Sequence, residues 1–172
     1  MKYVVAAAAA AVLVSACQTV PPHPLRATAE LQPTKGSKTS GVATFEQVNG
    51  KVRVAVNVQG LVPGREHGFH IHEAGDCSSG DGMSTKGHFN PTGQPHGHHA
   101  SAQRHAGDLP SITADKSGRG KLEVEVDQIT ITPGPTSIMG RGLIVHADPD
   151  DYKTQPTGNA GARIACGVIR PS

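Results

Sequence analysis

The chain has 172 residues, enough for one domain with a core of its own on the usual scale of about 100–200 residues per domain. With 36% hydrophobic residues, 3% aromatics and no Trp, but 21 Gly and 13 Pro, it is neither a multi-span membrane protein nor a long helical bundle, and it suits a turn-rich all-β domain. Sixteen Lys+Arg against 14 Asp+Glu give a net charge of +2 with no basic stripe, so nucleic acid is not an expected partner; the unusual counts are 10 His and 3 Cys.

Met1-Lys2 opens a short basic region, and residues 3–16 form an apolar run. That run is too short to span a bilayer but right for the centre of a signal peptide. It ends Leu13-Val14-Ser15-Ala16-Cys17, small residues before a cysteine, as at a bacterial lipoprotein processing site. Residues 1–16 are therefore expected to be a lipoprotein signal peptide and Cys17 the lipidated residue; the plainer alternative is a secretory peptide that happens to contain a cysteine. Residues 17–25, with Pro21, Pro22 and Pro24, read as an extended tether, and His23 in it as a solvated histidine. The expected location is periplasmic, anchored by lipid to the outer membrane. With Cys17 as anchor, Cys77 and Cys166 remain as a pair in an oxidising compartment.

Residues 26–172 are expected to form the folded domain. Strand signals run over 27–32 and 40–48, then Asn49-Gly50 marks a two-residue hairpin. Residues 51–58 alternate, with valines at even positions. A strand over 68–73 follows the Pro63-Gly64 turn. Residues 74–103 have no periodicity, and a loop of that length in a compact domain is usually functional. Further strands are expected over 111–114, 121–131, 142–147 and 163–169, with a second polar loop over 148–161. Eight short strands of this kind predict an antiparallel Greek-key barrel or sandwich with two long functional loops.

His70 and His72 stand two apart on a strand, so both imidazoles face one side and can share a metal. His88, His96, His105 and Asp108 lie along the long loop, and His146 ends a later strand. An all-imidazole set suits copper; a set with one carboxylate suits tetrahedral zinc. Seven ligands for two four-coordinate metals leave one bond short, so one histidine must bridge. His67 reads as a structural hydrogen-bonding residue, while His98 and His99 compete with His96 for the same role.

These residues sit in Gly68-Phe69-His70-Ile71-His72, Gly87-His88-Phe89-Asn90-Pro91, His96-Gly97 and Arg104-His105-Ala106-Gly107-Asp108-Leu109. Two further blocks follow, Gly142-Leu143-Ile144-Val145-His146 and the run from Gly158 through Arg163 and Cys166 to Ile169. In this order the blocks strongly resemble the copper–zinc superoxide dismutases, specifically the bacterial periplasmic branch, over roughly residues 27–170. The resemblance implies copper on His70, His72, His88 and His146, and zinc on His88, His96, His105 and Asp108, one metal of each kind per chain. His88 would be the bridging imidazolate, and Cys77 and Cys166 the intrasubunit disulfide. Asp150 would be the carboxylate behind the ligands that links one copper and one zinc histidine. Arg163 would guide the anionic substrate, with Lys153 the one nearby steering cation offered by the short second loop. The implied activity is dismutation of superoxide: copper oxidises one superoxide to dioxygen and reduces a second to hydrogen peroxide, while zinc holds the other nitrogen of His88. The rival reading is a periplasmic copper- or zinc-binding module without turnover. Bacterial members pair through a different surface from animal ones, which leaves homodimer and monomer both open.

Overall fold

The structure is a computed structural model that describes residues 25–172; the expected signal peptide, Cys17 and the expected tether as far as Pro24 lie outside the described residues. The strands are β1 (Arg26–Pro33), β2 (Ser40–Val48), β3 (Lys51–Gln59), β4 (Glu66–His67), β5 (Phe69–His72), β6 (Ile112–Thr113), β7 (Gly120–Val126), β8 (Gly142–His146), β9 (Arg163–Val168) and β10 (Arg170–Pro171). No α-helix occurs among the described residues, and one 3-10 turn, Met83–Thr85, sits in the long loop.

The main sheet is antiparallel throughout, in the order β5-β8-β9-β1-β2-β3-β7, with β10 added to β1. Alternation sets its inner face. Ala27, Ala29 and Leu31 of β1, Ala43 and Phe45 of β2, and Val52, Val54, Val56 and Val58 of β3 are buried, and their intervening neighbours face outward. The β2–β3 hairpin closes through Asn49 (φ 49°) and Gly50 (φ 81°), the pair of positive φ values that a tight hairpin of this twist requires. The sheet curls round on itself. A bridge from Gly120 to Ala114 leads from β7 to β6, β6 pairs with β4, and β4 continues through Gly68 into β5.

One expected strand is shorter than its sequence suggests: the segment 121–131 leaves the sheet after Val126. Leu122, Val124 and Val126 alternate on even numbers, whereas Ile129 and Ile131 fall on odd ones. That change of parity marks the departure, and Ile129, Ile131 and Ile138 then pack into the core as a loop.

Strands β5 and β8 are buried at every residue. Phe69, Ile71, Leu143 and Val145 face the core, and the opposite face carries His70, His72 and His146 under the two long loops. Between β8 and β9 the register shifts, so that Val145 pairs with Ala165 but His146 pairs with Arg163. Such a bulge re-aims side chains next to functional sites, and here it puts Arg163 directly across from His146. The long loop is tied down by the Cys77–Cys166 disulfide, with Cα atoms 5.9 Å apart and a sequence separation of 89.

Closing a loop of that length restricts the unfolded chain by about 4–5 kcal/mol in the chain-entropy picture, which is an upper figure for a real protein. The double variant Cys77→Ser/Cys166→Ser is expected to unfold at lower denaturant concentration and to be cleaved within residues 74–103 before the barrel is. Urea titration and limited proteolysis with mass mapping check both effects; an unchanged midpoint and cleavage pattern would show that the loop is held by its hydrogen bonds alone.

Candidate metal centre

The two β5 histidines and the β8 histidine meet a fourth from the long loop. Donor atoms of His70, His72, His88 and His146 all lie within 4.8 Å of one another, and so do those of His88, His96, His105 and Asp108. His88 belongs to both groups. All seven residues are buried.

Each ring is fixed from behind. The His72 Nδ1–H donates to the Lys86 carbonyl at 2.8 Å, and the His146 Nδ1–H to the Gly161 carbonyl at 3.2 Å. That leaves the Nε2 atoms of these two rings facing each other 3.4 Å apart. His88 turns Nδ1 toward Asp108 Oδ1 at 2.8 Å, and its Nε2 has no hydrogen-bond partner. Nor do the buried Nδ1 atoms of His70, His96 and His105. Buried ring nitrogens left without partners are costly in an apolar setting. Four of them converging in two groups is the donor arrangement that a pair of metal ions would satisfy, and imidazole suits both copper and zinc. The only carboxylate of the second group, Asp108, is itself anchored: its Oδ2 accepts from the amides of Gly97 at 3.1 Å and His105 at 2.9 Å.

Asp150 stands behind both groups. Its Oδ2 is 2.8 Å from His70 Nε2 and its Oδ1 is 2.9 Å from His96 Nε2, so one carboxylate aligns one ring of each group, the arrangement by which outer carboxylates set ligand orientation. Gly158, at φ +66°, passes so close that a β-carbon there would fall on the Asp150 carboxylate. Gln155 holds the His96 backbone at two points, accepting from its amide at 2.8 Å and donating to its carbonyl at 2.9 Å.

His98 and His99 stay outside both groups. His98 is exposed and packs its ring against Tyr152. His67 is fully buried and its Nδ1 donates to the His146 carbonyl at 2.9 Å, a structural tie under the site. Lys153 is exposed, and among the described residues its ammonium forms no ion pair; only its backbone is engaged, the amide donating to Asp151 and the carbonyl accepting from Gln155.

Arg163 is gripped by the long loop. Its Nη1 donates to the Gly82 carbonyl at 2.7 Å and the Thr85 hydroxyl at 2.9 Å, and its Nη2 to the Lys86 carbonyl at 2.6 Å. The Lys86 carbonyl thus serves His72 and Arg163 together. Lys86 has φ 62° and ψ −147°, close to a region used almost only by glycine and costing a larger residue about 1–3 kcal/mol. Backbone acceptors such as Lys86, Gly82 and Gly161 carry no signature in a sequence. The Gln155 clamp was equally invisible, since it depends on two loops meeting.

The copper/zinc superoxide dismutase (SODC) family pattern matches residues 39–169. The chain belongs to the copper/zinc superoxide dismutase family. It is 43% identical over 150 residues to "Superoxide dismutase [Cu-Zn] 2" of Aquifex aeolicus (strain VF5), covering 85% of this chain and 87% of that protein. It is 44% identical over 135 residues to "Superoxide dismutase [Cu-Zn]" of Paramecium bursaria Chlorella virus 1, covering 75% and 71%. A solved structure of the clock protein EA4 superimposes with a TM-score of 0.78 at 41% identity, covering 89% of this chain and 98% of that one. The superoxide dismutase fold in this chain thus carries both histidine groups on the two strands and the long loop.

Protonation in the metal-free dismutase follows from this packing. Burial, then the neighbouring His70, pushes His88 down to about 3. Burial and adjacent histidines hold His72 and His146 well below the usual histidine range. His96 goes the other way: burial lowers it, but hydrogen bonds with Asp108 and Asp150 prevail and raise it to about 9. Against the opposing pull of burial, the same histidine contacts hold Asp108 and Asp150 below the ordinary carboxylate range.

The unfolded chain takes protons at His72, His88 and His146 as pH falls through about 6.5, while the folded chain does not. Stability therefore declines on that side, because stability rises with pH wherever the unfolded state holds more protons. Asp108 and Asp150 add the same sign at lower pH. His96, raised in the folded chain, contributes stability that is present below about 6.5 and lost as pH rises through about 9. With three imidazoles against one, thermal midpoints of chelator-treated protein are expected to drop steeply below about pH 6.5 and only gently toward pH 9. A flat profile on the acid side would contradict the neutral state of the three buried rings.

Proposed function

We propose that this chain dismutates superoxide at the paired pocket, with His70, His72, His88 and His146 as copper ligands and His88, His96, His105 and Asp108 as zinc ligands. The observation that carries the reading is that one imidazole, His88, belongs to both groups of donors, with Nδ1 on the carboxylate side and Nε2 left without a partner. When bound, copper supplies one-electron redox chemistry and zinc a fixed positive charge that does not change oxidation state.

The chain's own groups do the rest. Asp150 and the Lys86 and Gly161 carbonyls set which ring nitrogen of His70, His72, His96 and His146 points inward. His88 Nε2 is the unpartnered ring atom at which the chain would pass a proton to hydrogen peroxide formation; burial and its histidine neighbours depress it, so a proton there is readily given up. Arg163 carries a permanent charge on a planar fork. Three of its N–H groups are fixed by loop acceptors, the rest are left to dock a small anion, and its cross-strand pairing with His146 sets where the anion sits. Both donor groups and Arg163 come from one chain, so turnover has no need of a second copy and is compatible with a monomer or a homodimer.

Metal analysis and superoxide decay on the purified protein test this reading. His88→Ala is expected to lower occupancy of both metals, whereas His99→Ala leaves both in place. Arg163→Ala is expected to keep metals and fold yet lose most of the rate, roughly 10-fold or more on the scale of electrostatic steering, with Arg163→Lys recovering part of it. Zinc lost in His99→Ala but kept in His96→Ala would overturn the ligand assignment; full metal occupancy without superoxide consumption would leave a metal-binding module.

The same reading places the protein in the periplasm, held by a lipid on Cys17 to the outer membrane, with residues 1–16 removed and residues 17–25 as tether. It is supported by the apolar run, the small residues before Cys17 and the three tether prolines, together with a disulfide of the kind that persists in oxidising compartments. Among the described residues no helix is long and apolar enough to cross a membrane. Cys17→Ser is expected to move the protein from the membrane fraction to the soluble one with specific activity unchanged, read by fractionation and immunoblot. An undiminished membrane fraction would remove the lipid reading.

A further inference from the structure

Lys86 combines three features that its role as a hydrogen-bond acceptor does not explain together. Its carbonyl receives the Nδ1–H of His72 at 2.8 Å and the Nη2–H of Arg163 at 2.6 Å, so the residue is locked beside both. Its backbone adopts φ 62° and ψ −147°, which glycine would take without strain. Its side chain reaches solvent, with the ammonium 3.2 Å from Glu73 Oε1 and both side chains more than half exposed. The carbonyl does the positioning; the side chain contributes nothing to that bond and makes the backbone conformation harder to hold.

We propose that the Lys86 ammonium is a steering cation for superoxide, carried by a backbone that the shared carbonyl fixes beside Arg163 and moderated by Glu73. This assigns to Lys86 the part expected of Lys153, which is engaged through its backbone alone and whose position rests on the second loop. The inference rests on the reading of Arg163 as the anion-docking group.

The geometry suits the chemistry. Superoxide is a small monoanion with no shape to recognise, so its approach is governed by local charge. A unit charge about 10 Å from its path changes the local concentration of a monoanion roughly two- to fourfold at an effective dielectric of about 40–80. Such a charge acts within one Debye length, about 10 Å at 0.1 M salt. The neighbouring carboxylates set the balance. Asp81 acts on Arg163 through space, and Glu73 pairs with Lys86, so the net field at the entrance is a small difference that a single charge change alters.

The test is superoxide decay by pulse radiolysis on the metal-loaded protein, across ionic strengths from very low to physiological. Lys86→Gly keeps the carbonyl and relaxes the backbone, so copper and zinc contents and the thermal midpoint are expected to hold or rise. The rate at low ionic strength is expected to fall roughly two- to fourfold, with a shallower salt dependence. Glu73→Gln is expected to raise the low-salt rate by a similar factor, and Lys116→Gln, the same loss of charge in the exposed turn between β6 and β7, to change nothing. Lys86→Gln, which keeps the β-carbon and chain length, reads the charge alone should Lys86→Gly disturb the metals. A wild-type rate and salt slope in the Lys86 variants, with the wild-type protein active, would overturn the steering role alone. An inactive wild-type protein with both metals bound would instead overturn the dismutase reading beneath it.

Discussion

Six imidazoles and two carboxylates share one buried volume in this protein, and everything else in the fold is arranged around that constraint. Isolated, each such group would be expensive to remove from water. Here the two carboxylates bear the load. Asp108 accepts from two backbone amides and lies against three histidines, and Asp150 spans one histidine of each group. Removing one partner from a satisfied buried network costs more than the partner's own bond, because the others are left exposed to the same low dielectric. That is why Gly158 must lack a side chain and why Gln155 clamps the His96 backbone: both protect the position of a carboxylate or a ring rather than make contact with a ligand.

The barrel and the loops contribute differently. His70, His72 and His146 stand on strands whose other face is locked into the core, so their spacing is set by the sheet's own geometry. His96, His105 and Asp108 belong to a loop without regular hydrogen bonding, and their order comes from the carboxylates, the clamp and the disulfide. His88 joins the two regimes. It forms an antiparallel bridge with His72, and the next residue extends it, with Phe89 donating to Ile71 and Gly107 donating to Phe89, which carries the register of β5 outward into the loop. A site held on rigid elements keeps its geometry better than one held on loops, and here the loop half borrows rigidity from the strand half through a single residue.

The sequence made the strands and the donor residues legible, because both depend on periodic or chemical signals. The valines of β3 alternate, Asn49-Gly50 specifies its turn, and His70 and His72 share a face by period 2. The end of β7 was readable only in retrospect, as a slip in parity between Val126 and Ile129. What was not legible is everything made by backbone carbonyls or by one loop meeting another. His96-Gly97 sets His96 apart from His98 and His99 only by family resemblance; the contacts that hold it, where the long loop meets Asp150 and Gln155, carry no local pattern. The bulge that brings Arg163 opposite His146 is likewise a property of two paired strands, not of either one.

The Lys86 carbonyl shows how closely binding and chemistry are joined. It fixes the ring of His72 on one side and the guanidinium of Arg163 on the other, so the distance between that buried imidazole and that charge is set by one peptide plane. A shift of that plane would move both together and preserve their relation, whereas separate supports would let them drift apart. The 3-10 turn and the disulfide act on the same short segment: the Gly82 carbonyl and the Thr85 hydroxyl hold Arg163, and Cys77 ties the segment to Cys166 on the strand that carries Arg163. Loop, strand and bulge therefore form a closed circuit around the guanidinium. Its rigidity is what allows a residue bound mostly by loop atoms to keep a fixed place beside buried histidines.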